Sequence, residues 1–535
     1  MYRFILSVSI VIVNVGDAVA SQNSDIQFNR IALTGDLAPG AGSAAFFEFP
    51  FSSQPSSVGD FTFRASLQIS EPGVDSSNDT GYWSYEGGTL GLIAREGSEA
   101  PGTGGAVYES ITSGKSTESG SIGFLGTLRV GSNGVNTLND RGIWLKDGED
   151  AALIARKGGS APGTGEAKFD LLTAPLISSD GTVTYFSSLR VGDNGVDSTN
   201  DFGIWSYRDG VHGLVAREGS VAPGTAGAIF DTLGFATVNP SGDVAFTSTL
   251  LTGTNGVDAT NNGGVWMRTD GVVDLVVRKG QAAPGVNGAV FGTFVTPDIN
   301  AVGDVVFTGA MQEGQGGVTT SNNHGIWARQ DGTLRLVARE GNDAPGTFGA
   351  DFGAFNRPVV NASGDIAFSG FLQNENNVFS FNDGGIWATR NGVLQLIARE
   401  DRDAPGTGGA DFNIFGAPSL NALGDLSFSA SLQTGENGVD SSNNSGIWAY
   451  SSFDDEFKLI VRKGDLFDIS QDPMISDFRT ISGILGSSLS DTGLLVFRLE
   501  FSDGIQGVFS TSVPSPSSAT ALIASVGALT LRRRR

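Results

Sequence analysis

The 535-residue sequence contains no cysteine and only two histidines, His212 and His324. Without cysteine the chain can form no disulfide bond, no thiolate-bound metal site and no thiol nucleophile. The two histidines belong to no metal-binding or nucleophile motif, so the sequence indicates neither zinc chemistry nor a Ser–His–Asp triad. A catalytic pair of carboxylates stays open, because such a pair forms in space and leaves no sequence pattern.

Basic residues are also scarce. The chain has 33 Lys and Arg against 57 Asp and Glu, which gives a formal net charge of −24. Binding to phosphate groups needs a clustered basic surface, so the sequence predicts no nucleic-acid partner. An excess of negative charge suits solubility outside the cell and attracts cations.

The seven tryptophans recur at a nearly constant interval. Their spacings are 61, 61, 61, 61, 60 and 61 residues, and the series consists of Trp83, Trp144, Trp205, Trp266, Trp327, Trp387 and Trp448. A further step of 61 residues reaches Phe509, which has the same Gly-apolar-aromatic context. A constant period of this size marks a repeat architecture. The sequence therefore predicts eight repeats.

Each repeat has the pattern of four short strands. In the fifth repeat we predict strand a at residues 291–300, strand b at 305–311, strand c at 325–328 and strand d at 334–339. Asn, Gly and Asp between these runs favour tight hairpin turns. Four antiparallel strands per repeat are typical of a β-propeller blade. The predicted fold is an all-β, eight-bladed β-propeller over residues 21–510.

The repeats are offset from the ends of the chain. A first d strand, Gln27 to Gly35, has no a, b or c strand before it, and the last unit, Phe478 to Ser510, has no d strand. Placing the N-terminal strand at the outer edge of the C-terminal blade would complete that blade and remove two free sheet edges. We therefore expect the N-terminal strand to close the ring.

The two termini predict export. Residues 1–20 have the basic start, apolar run and A-x-A ending of a signal peptide, the alternative being a buried first strand. Residues 511–535 consist of a Pro/Ser linker, a short hydrophobic segment and four arginines, and they resemble a PEP-CTERM sorting signal. That resemblance implies an exosortase-type processing enzyme as partner, with membrane contact only through this segment; the alternative is a frayed terminus.

Two eight-residue stretches carry a family resemblance. Asn239 to Phe246 and Asn361 to Phe368 resemble the NxxGxxAF motif that names a group of bacterial choice-of-anchor tandem-repeat proteins. The resemblance covers nearly the whole predicted exported region. It implies an extracellular protein or one anchored at the bacterial cell surface, and it implies no particular activity.

The polar b–c loops are candidate Ca²⁺ sites. An Asp and an Asn recur there three residues apart, as Asp75 and Asn78, Asp197 and Asn200, Asp258 and Asn261, and Asp440 and Asn443. Closely spaced oxygen ligands are what Ca²⁺ requires. The same residues also form ordinary turns by bonding to their own backbone, and Asn136, Thr319 and Phe379 replace the Asp in other repeats. Both interpretations stay open.

Two further residue patterns recur in nearly every repeat, and we interpret both as structural. An arginine ends strand d in seven repeats and is followed by Glu in four of them, so we expect these arginines to pair with carboxylates within or between blades. We expect the repeated Trp and Phe side chains to pack inside the blades rather than to form exposed platforms for sugars.

The sequence thus favours a noncatalytic binding or surface-structural module, with an extracellular glycan or a surface protein as its partner. The alternative is a hydrolase or lyase that acts on extracellular polysaccharide, since a propeller scaffold alone licenses no activity. A cluster of carboxylates at the channel mouth would favour the enzyme. A rim of glycine, asparagine and threonine would favour binding.

Overall fold

The computed structural model describes residues 26–513, apart from 53–54, 57–58, 70–72, 117–120, 149, 376 and 471–473. The predicted signal peptide at 1–20 and residues 514–535 of the predicted sorting segment lie outside the described residues. Every regular element within the described part is a β-strand, and this part has no helix long and apolar enough to cross a membrane.

The strands form eight antiparallel sheets, the blades of an eight-bladed β-propeller, which confirms the predicted fold class. Blade 1 contains β2 (Phe46–Ser52), β3 (Phe61–Leu67), β4 (Thr80–Glu86) and β5 (Thr89–Arg95). Blade 2 contains β6 (Tyr108–Ser116), β7 (Ile122–Leu128), β8 (Arg141–Asp147) and β9 (Asp150–Arg156). Blade 3 contains β10 (Phe169–Leu172), β11 (Leu176–Ile177), β12 (Val183–Leu189), β13 (Phe202–Arg208) and β14 (Val211–Arg217). Blade 4 contains β15 (Phe230–Val238), β16 (Val244–Leu250), β17 (Gly263–Thr269) and β18 (Val272–Arg278).

The other four blades follow in chain order. Blade 5 contains β19 (Phe291–Phe294), β20 (Asp298–Ile299), β21 (Val305–Met311), β22 (His324–Gln330) and β23 (Thr333–Arg339). Blade 6 contains β24 (Phe352–Phe355), β25 (Val359–Val360), β26 (Ile366–Leu372), β27 (Gly384–Arg390) and β28 (Val393–Arg399). Blade 7 contains β29 (Phe412–Phe415), β30 (Ser419–Leu420), β31 (Leu426–Leu432), β32 (Ser445–Ser451) and β33 (Glu456–Arg462). Blade 8 contains β34 (Leu466–Asp468), β35 (Phe478–Leu489), β36 (Leu494–Phe501), β37 (Gln506–Ser512) and β1 (Asn29–Leu33).

The predicted closure of the ring is confirmed. Strand β1 pairs antiparallel with β37, with Asn29 opposite Ser510 and Leu33 opposite Gly507. The side chain of Leu33 is buried in the core of blade 8. Because β1 occupies the outer edge of that blade, the two ends of the repeat array are joined without a covalent bond.

Strand a is where the prediction and the structure differ. In blade 5 the predicted strand at 291–300 is split into β19 and β20, which flank Pro297. Proline has no backbone N–H to donate to the ladder. Pro175, Pro358 and Pro418 lie in the corresponding breaks of blades 3, 6 and 7, whereas blade 4 has no proline within this stretch and its β15 is continuous.

The tryptophans form the cores of the blades, as predicted. All seven are 0% exposed. In blade 5 the Trp327 ring meets the Phe291 ring edge-on at 4.9 Å and lies nearly parallel to the Phe307 ring at 6.4 Å. A Cβ atom on Gly325 would lie 2.8 Å from the Trp327 ring. The repeated Gly-apolar-Trp pattern therefore reflects the space that the indole needs.

The asparagine of the NxxG turn links neighbouring blades. The side chain of Asn300 accepts the N–H groups of Val302 and Asp304 at 3.1 and 2.8 Å, and its Nδ2 donates to the carbonyl oxygen of Asn361 in the next blade at 2.8 Å. Asn239 and Asn361 make the corresponding cross-blade bonds to the carbonyls of Asn300 and Asn421. The motif thus caps a hairpin and connects the inner ends of adjacent blades.

Candidate functional site

The d–a and b–c connections lie at one end of every blade, which we name the loop face; the a–b and c–d hairpins form the hairpin face. Long loops on a rigid scaffold commonly carry binding residues. The loop face also holds the predicted site residues of the b–c loops.

The Ala-Pro-Gly loops on this face are fixed by the buried tryptophans. In blade 5 the indole Nε1 of Trp327 donates to the carbonyl oxygen of Pro284 at 3.1 Å. The same bond recurs in seven blades at 2.9–3.2 Å. Each loop satisfies the one polar group of a buried ring, so this sequence element is structural.

The candidate Ca²⁺ loops are closed by their own hydrogen bonds. Asp258 Oδ1 accepts the N–H of Thr260 at 2.8 Å and its hydroxyl at 2.5 Å, while Asn261 Oδ1 accepts the N–H of Asp258 at 3.1 Å. The bond from the Thr260 hydroxyl lowers the pKa of the exposed Asp258 carboxyl most, and the bond from the Thr260 N–H lowers it further. The pairs Asp75 and Asn78, Asp197 and Asn200, and Asp440 and Asn443 repeat the arrangement.

The loop shape does not depend on the aspartate. In blade 6 Phe379 replaces it, and the Phe379 N–H still donates to Asn382 Oδ1 at 2.8 Å. The Phe379 ring stacks on Phe381, which takes the place of Thr260, with 9° between the ring planes. No group of three His, Asp or Glu side chains among the described residues could hold a metal ion. The geometry favours the turn interpretation, and Ca²⁺ binding stays a prediction.

The prediction that the ring of arginines pairs with carboxylates is wrong. Arg278 Nε donates to the carbonyl oxygen of Asn261 at 2.7 Å, and its guanidinium also bonds to Asn261 Oδ1 at 3.0 Å. The other arginines of the ring each donate to the corresponding loop carbonyl: Arg95, Arg156, Arg217, Arg339, Arg399 and Arg462. A planar donor fork suits this carbonyl and amide pair as well as it suits a carboxylate.

The glutamates that follow four of these arginines have a separate structural role. Glu340 and Glu400 are 6% and 4% exposed. Each carboxylate accepts the N–H of the residue that begins strand c of its blade, from His324 to Glu340 at 2.9 Å and from Gly384 to Glu400 at 2.7 Å. Burial raises the pKa of Glu400 to about 7. The bond from the Gly384 N–H acts against this rise, and the nearby charge of Asp383 adds to it.

Blade 4 departs from this arrangement and contains an open groove. Lys279 stands in the place of the glutamate, and strand c begins with Gly263 and Gly264. The groove has a volume of about 350 Å³ between blades 4 and 5. Small residues and residues with a hydroxyl group make up most of the lining, and more of its exposed surface is apolar than polar. The lining residues are Gly234, Gly263, Gly264, Gly292, Thr232, Thr247, Ser248, Thr249, Thr293, Asn262, Lys279 and Phe294.

The neighbouring blades show why this groove is open. In blade 3 the residues that correspond to Thr247 and Gly263 are Phe186 and Phe202, whose rings stack at 6.0 Å. In blade 5 the position of Gly263 is taken by His324. A Cβ atom added to Gly263 would meet only the Ser248 carbonyl oxygen, at 3.8 Å. The site was not predicted from the sequence. Blade 6 also has a glycine, Gly384, at the position of Gly263, but it keeps Glu400 where blade 4 has Lys279. Only a comparison of both positions across the repeats singles out blade 4.

The fold and the groove define a repeat-built β-propeller with a cleft between two blades. The chain belongs to the family of unknown function DUF7453, which matches residues 4–331, 191–390 and 255–520. The overlapping matches are consistent with the internal repeat. No curated protein matches the sequence.

Several solved structures resemble the chain at low sequence identity. The β-propeller domain of the trilobed protease from Pyrococcus furiosus has 10% identity and a TM-score of 0.38, over 75% of this chain and 94% of its own. Acylaminoacyl peptidase from Pyrococcus horikoshii has 9% identity and a TM-score of 0.39, over 84% of this chain and 57% of its own. The polysaccharide lyase Uly1 has 10% identity and a TM-score of 0.33, over 73% of this chain and 88% of its own. Similarity at this level indicates no activity.

Proposed function

We propose that this protein is an exported, surface-sorted β-propeller that binds an extracellular ligand without chemically altering it, and that the groove of blade 4 is its binding site. The observation that carries the proposal is the lining of the groove. Glycine, serine and threonine residues line it together with Asn262, Lys279 and the aromatic Phe294. A concave site with a few convergent polar groups is the usual form of a binding pocket.

The same lining argues against the alternative of a polysaccharide hydrolase or lyase. Glycoside hydrolysis uses two carboxyl groups that flank the scissile bond, and none of the groove-lining residues is acidic. Glu400 has a raised pKa, as a general acid would, but it is only 4% exposed and its carboxylate holds the Gly384 N–H. A substrate bound in solution cannot reach it without local opening of the blade.

Export and sorting rest on the sequence. The signal-like residues 1–20 and the PEP-CTERM-like residues 511–535 support delivery to the outside or to the cell surface. An exosortase-type enzyme is the processing partner that this resemblance implies. An extracellular glycan is the ligand class that suits a groove of hydroxyl and backbone groups, and a surface protein is the second candidate partner.

The proposal is tested with the chain from residue 21 onward, on a glycan array and in a pull-down from a cell-surface extract. We expect a glycan ligand whose binding is lost in Gly263→Phe, because this ring fills the groove as Phe202 fills blade 3. Ser445→Phe places the same ring at the corresponding position of blade 7 and serves as the control. Binding that survives Gly263→Phe, or cleavage of the bound glycan, would overturn the proposal.

A further inference from the structure

The buried glutamates show which chemical group this part of a blade accommodates. In blades 5 and 6 the N–H of the first residue in strand c donates to a carboxylate, at 2.9 Å in Glu340 and 2.7 Å in Glu400. Glu96 and Glu218 occupy the same place in blades 1 and 3. Half of the blades thus carry a built-in carboxylate at this position.

Blade 4 retains the donor and lacks the acceptor. The N–H of Leu250 donates to the carbonyl oxygen of Asn262 at 2.8 Å, and Thr249 lies opposite Gly263. Bonded and non-bonded pairs alternate along antiparallel strands, so the N–H of Gly263 points away from strand b and towards the side of Lys279. An ammonium group cannot accept it.

The charge at this place is also reversed. Lys279 Nζ lies 3.3 Å from Asn262 Oδ1, and within the described residues Lys279 has no carboxylate at ion-pair distance. In blade 2, by contrast, the corresponding Lys157 pairs with Asp140 at 3.3 Å. Asn262 takes the place of Asp140, so the Lys279 ammonium group has no carboxylate at ion-pair distance among the described residues, and Asp258 acts on it only through a weaker Coulomb attraction.

We propose that the groove of blade 4 binds the carboxylate of an acidic sugar residue in an extracellular polysaccharide. The ligand carboxylate takes the place that Glu340 and Glu400 fill in the next two blades, between the Gly263 N–H and Lys279. This inference rests on the proposed function and names its ligand class.

The rest of the lining suits a sugar. Thr232 and Thr249 have hydroxyl groups 2.6 Å apart at the groove, where they can exchange hydrogen bonds with sugar hydroxyls. A volume of about 350 Å³ suits a short stretch of saccharide rather than a folded partner, since small-molecule pockets measure about 300–1,000 Å³. Asp231 accepts the Thr249 hydroxyl at 3.3 Å. Its charge opposes an anion, so the affinity should be modest and sensitive to salt.

The test is calorimetric titration with a galacturonic-acid trisaccharide and with its neutral galactose counterpart of the same linkage. We expect the acidic trisaccharide to bind about tenfold or more tightly than the neutral one, and Lys279→Glu to abolish that preference. Lys279→Glu should fold, because it recreates the Arg-Glu sequence of four other blades. Lys463→Glu in blade 7 is the matched control and should leave binding unchanged.

The outcomes separate the ligand class from the proposed function. Equal binding of both trisaccharides, blocked by Gly263→Phe and unaffected by Lys279→Glu, would overturn the carboxylate assignment and keep the groove as a binding site. Equal binding of a short Glu-containing peptide would overturn the assignment to a sugar. Absence of any saccharide binding, here and on the glycan array, would overturn both proposals.

Discussion

The indole Nε1 of Trp327 donates a hydrogen bond of 3.1 Å to the carbonyl oxygen of Pro284, 43 residues earlier in the chain. This bond ties the loop that enters the blade to strand c of the same blade. Blade 8 lacks both partners: Phe509 replaces the tryptophan, the d–a connection has no Ala-Pro-Gly, and Phe467 of β34 packs against Phe509 at 4.7 Å instead.

Two substitutions of Trp327 should separate the ring from its hydrogen bond. Trp327→Ala removes a fully buried aromatic side chain and should cost about 3–5 kcal/mol of the free energy of unfolding. Trp327→Phe keeps most of the ring but leaves the Pro284 carbonyl without its donor, so we expect about 1–3 kcal/mol. Chemical denaturation of both variants measures the difference. Equal costs, or full quenching of the tryptophans by acrylamide, would contradict a buried and bonded indole.

Removal of residues 26–34 should open the ring. The deletion exposes the edge of β37 and removes the pairing of Leu33 with Gly507. We expect a broader thermal transition at a lower temperature, together with self-association through the free edge, as measured by calorimetry and light scattering. A synthetic peptide of residues 26–36 added in trans should restore the transition. An unchanged transition in the deletion variant would mean that closure contributes little.

Asn300 should contribute both within its hairpin and between blades. Asn300→Ala loses the bonds to Val302, Asp304 and Asn361, and we expect a loss of about 2–4 kcal/mol. Asn300→Ser should cost less, because in blade 8 the Oγ of Ser490 accepts the corresponding N–H of Leu494 at 2.9 Å. A serine and an alanine variant of equal stability would place the whole effect in the cross-blade bond.

Glu400 predicts a fall in stability as the pH rises. Its pKa is raised to about 7 in the folded protein from the ordinary value of 4.5, so between these values the folded state binds more protons than the unfolded state. The stabilising contribution is complete below pH 4.5 and is lost as the pH rises through 7. Glu400→Gln should remove about 1–3 kcal/mol of that dependence. Denaturation midpoints of the wild type and of Glu400→Gln at pH 5 and pH 8 measure the effect. A variant whose stability changes with pH as much as that of the wild type would refute the prediction.

The b–c loops should respond to Ca²⁺ and Mg²⁺ alike if they are turns. Asp258→Asn keeps an Oδ1 acceptor for Thr260, so we expect a change within about 0.5 kcal/mol. Equal thermal shifts with the two cations at matched ionic strength would reflect charge screening alone. A larger shift with Ca²⁺ at about 10⁻⁴–10⁻³ M, lost in Asp258→Asn, would establish the metal site that the sequence suggested.

The repeat explains how much of the fold was predictable. The period of the tryptophans gave the number of blades, and the unpaired segments at the two ends gave the closure of β1 on β37. Strand b of blade 5 was predicted with its observed bounds, Val305–Met311. The missing N–H of Pro297 accounts for the split of strand a, and the prediction of one continuous strand at 291–300 did not take it into account.

The functional residues were less predictable for a physical reason. A carboxylate partner was expected for Arg278 because charged residues are visible in a sequence. Its actual partner is the backbone carbonyl of Asn261. Every residue has such a carbonyl, so the sequence does not show which one accepts the bond. The groove arises from side chains that are absent, since Gly263 and Thr247 replace the stacked rings of blade 3. Such a gap is visible only when the repeats are compared position by position.

The position of Val513 has a consequence for orientation. Its N–H donates to the Gly493 carbonyl at 2.7 Å, which places the end of β37 on the hairpin face, and Thr511 bonds to Gln27 beside it. If the proposed sorting segment anchors the protein, the chain leaves the propeller for that anchor on the hairpin face, and this face would turn towards the cell surface. The loop face and the groove of blade 4 would then point into the surrounding medium, so attachment and ligand capture could proceed on opposite sides of one disc.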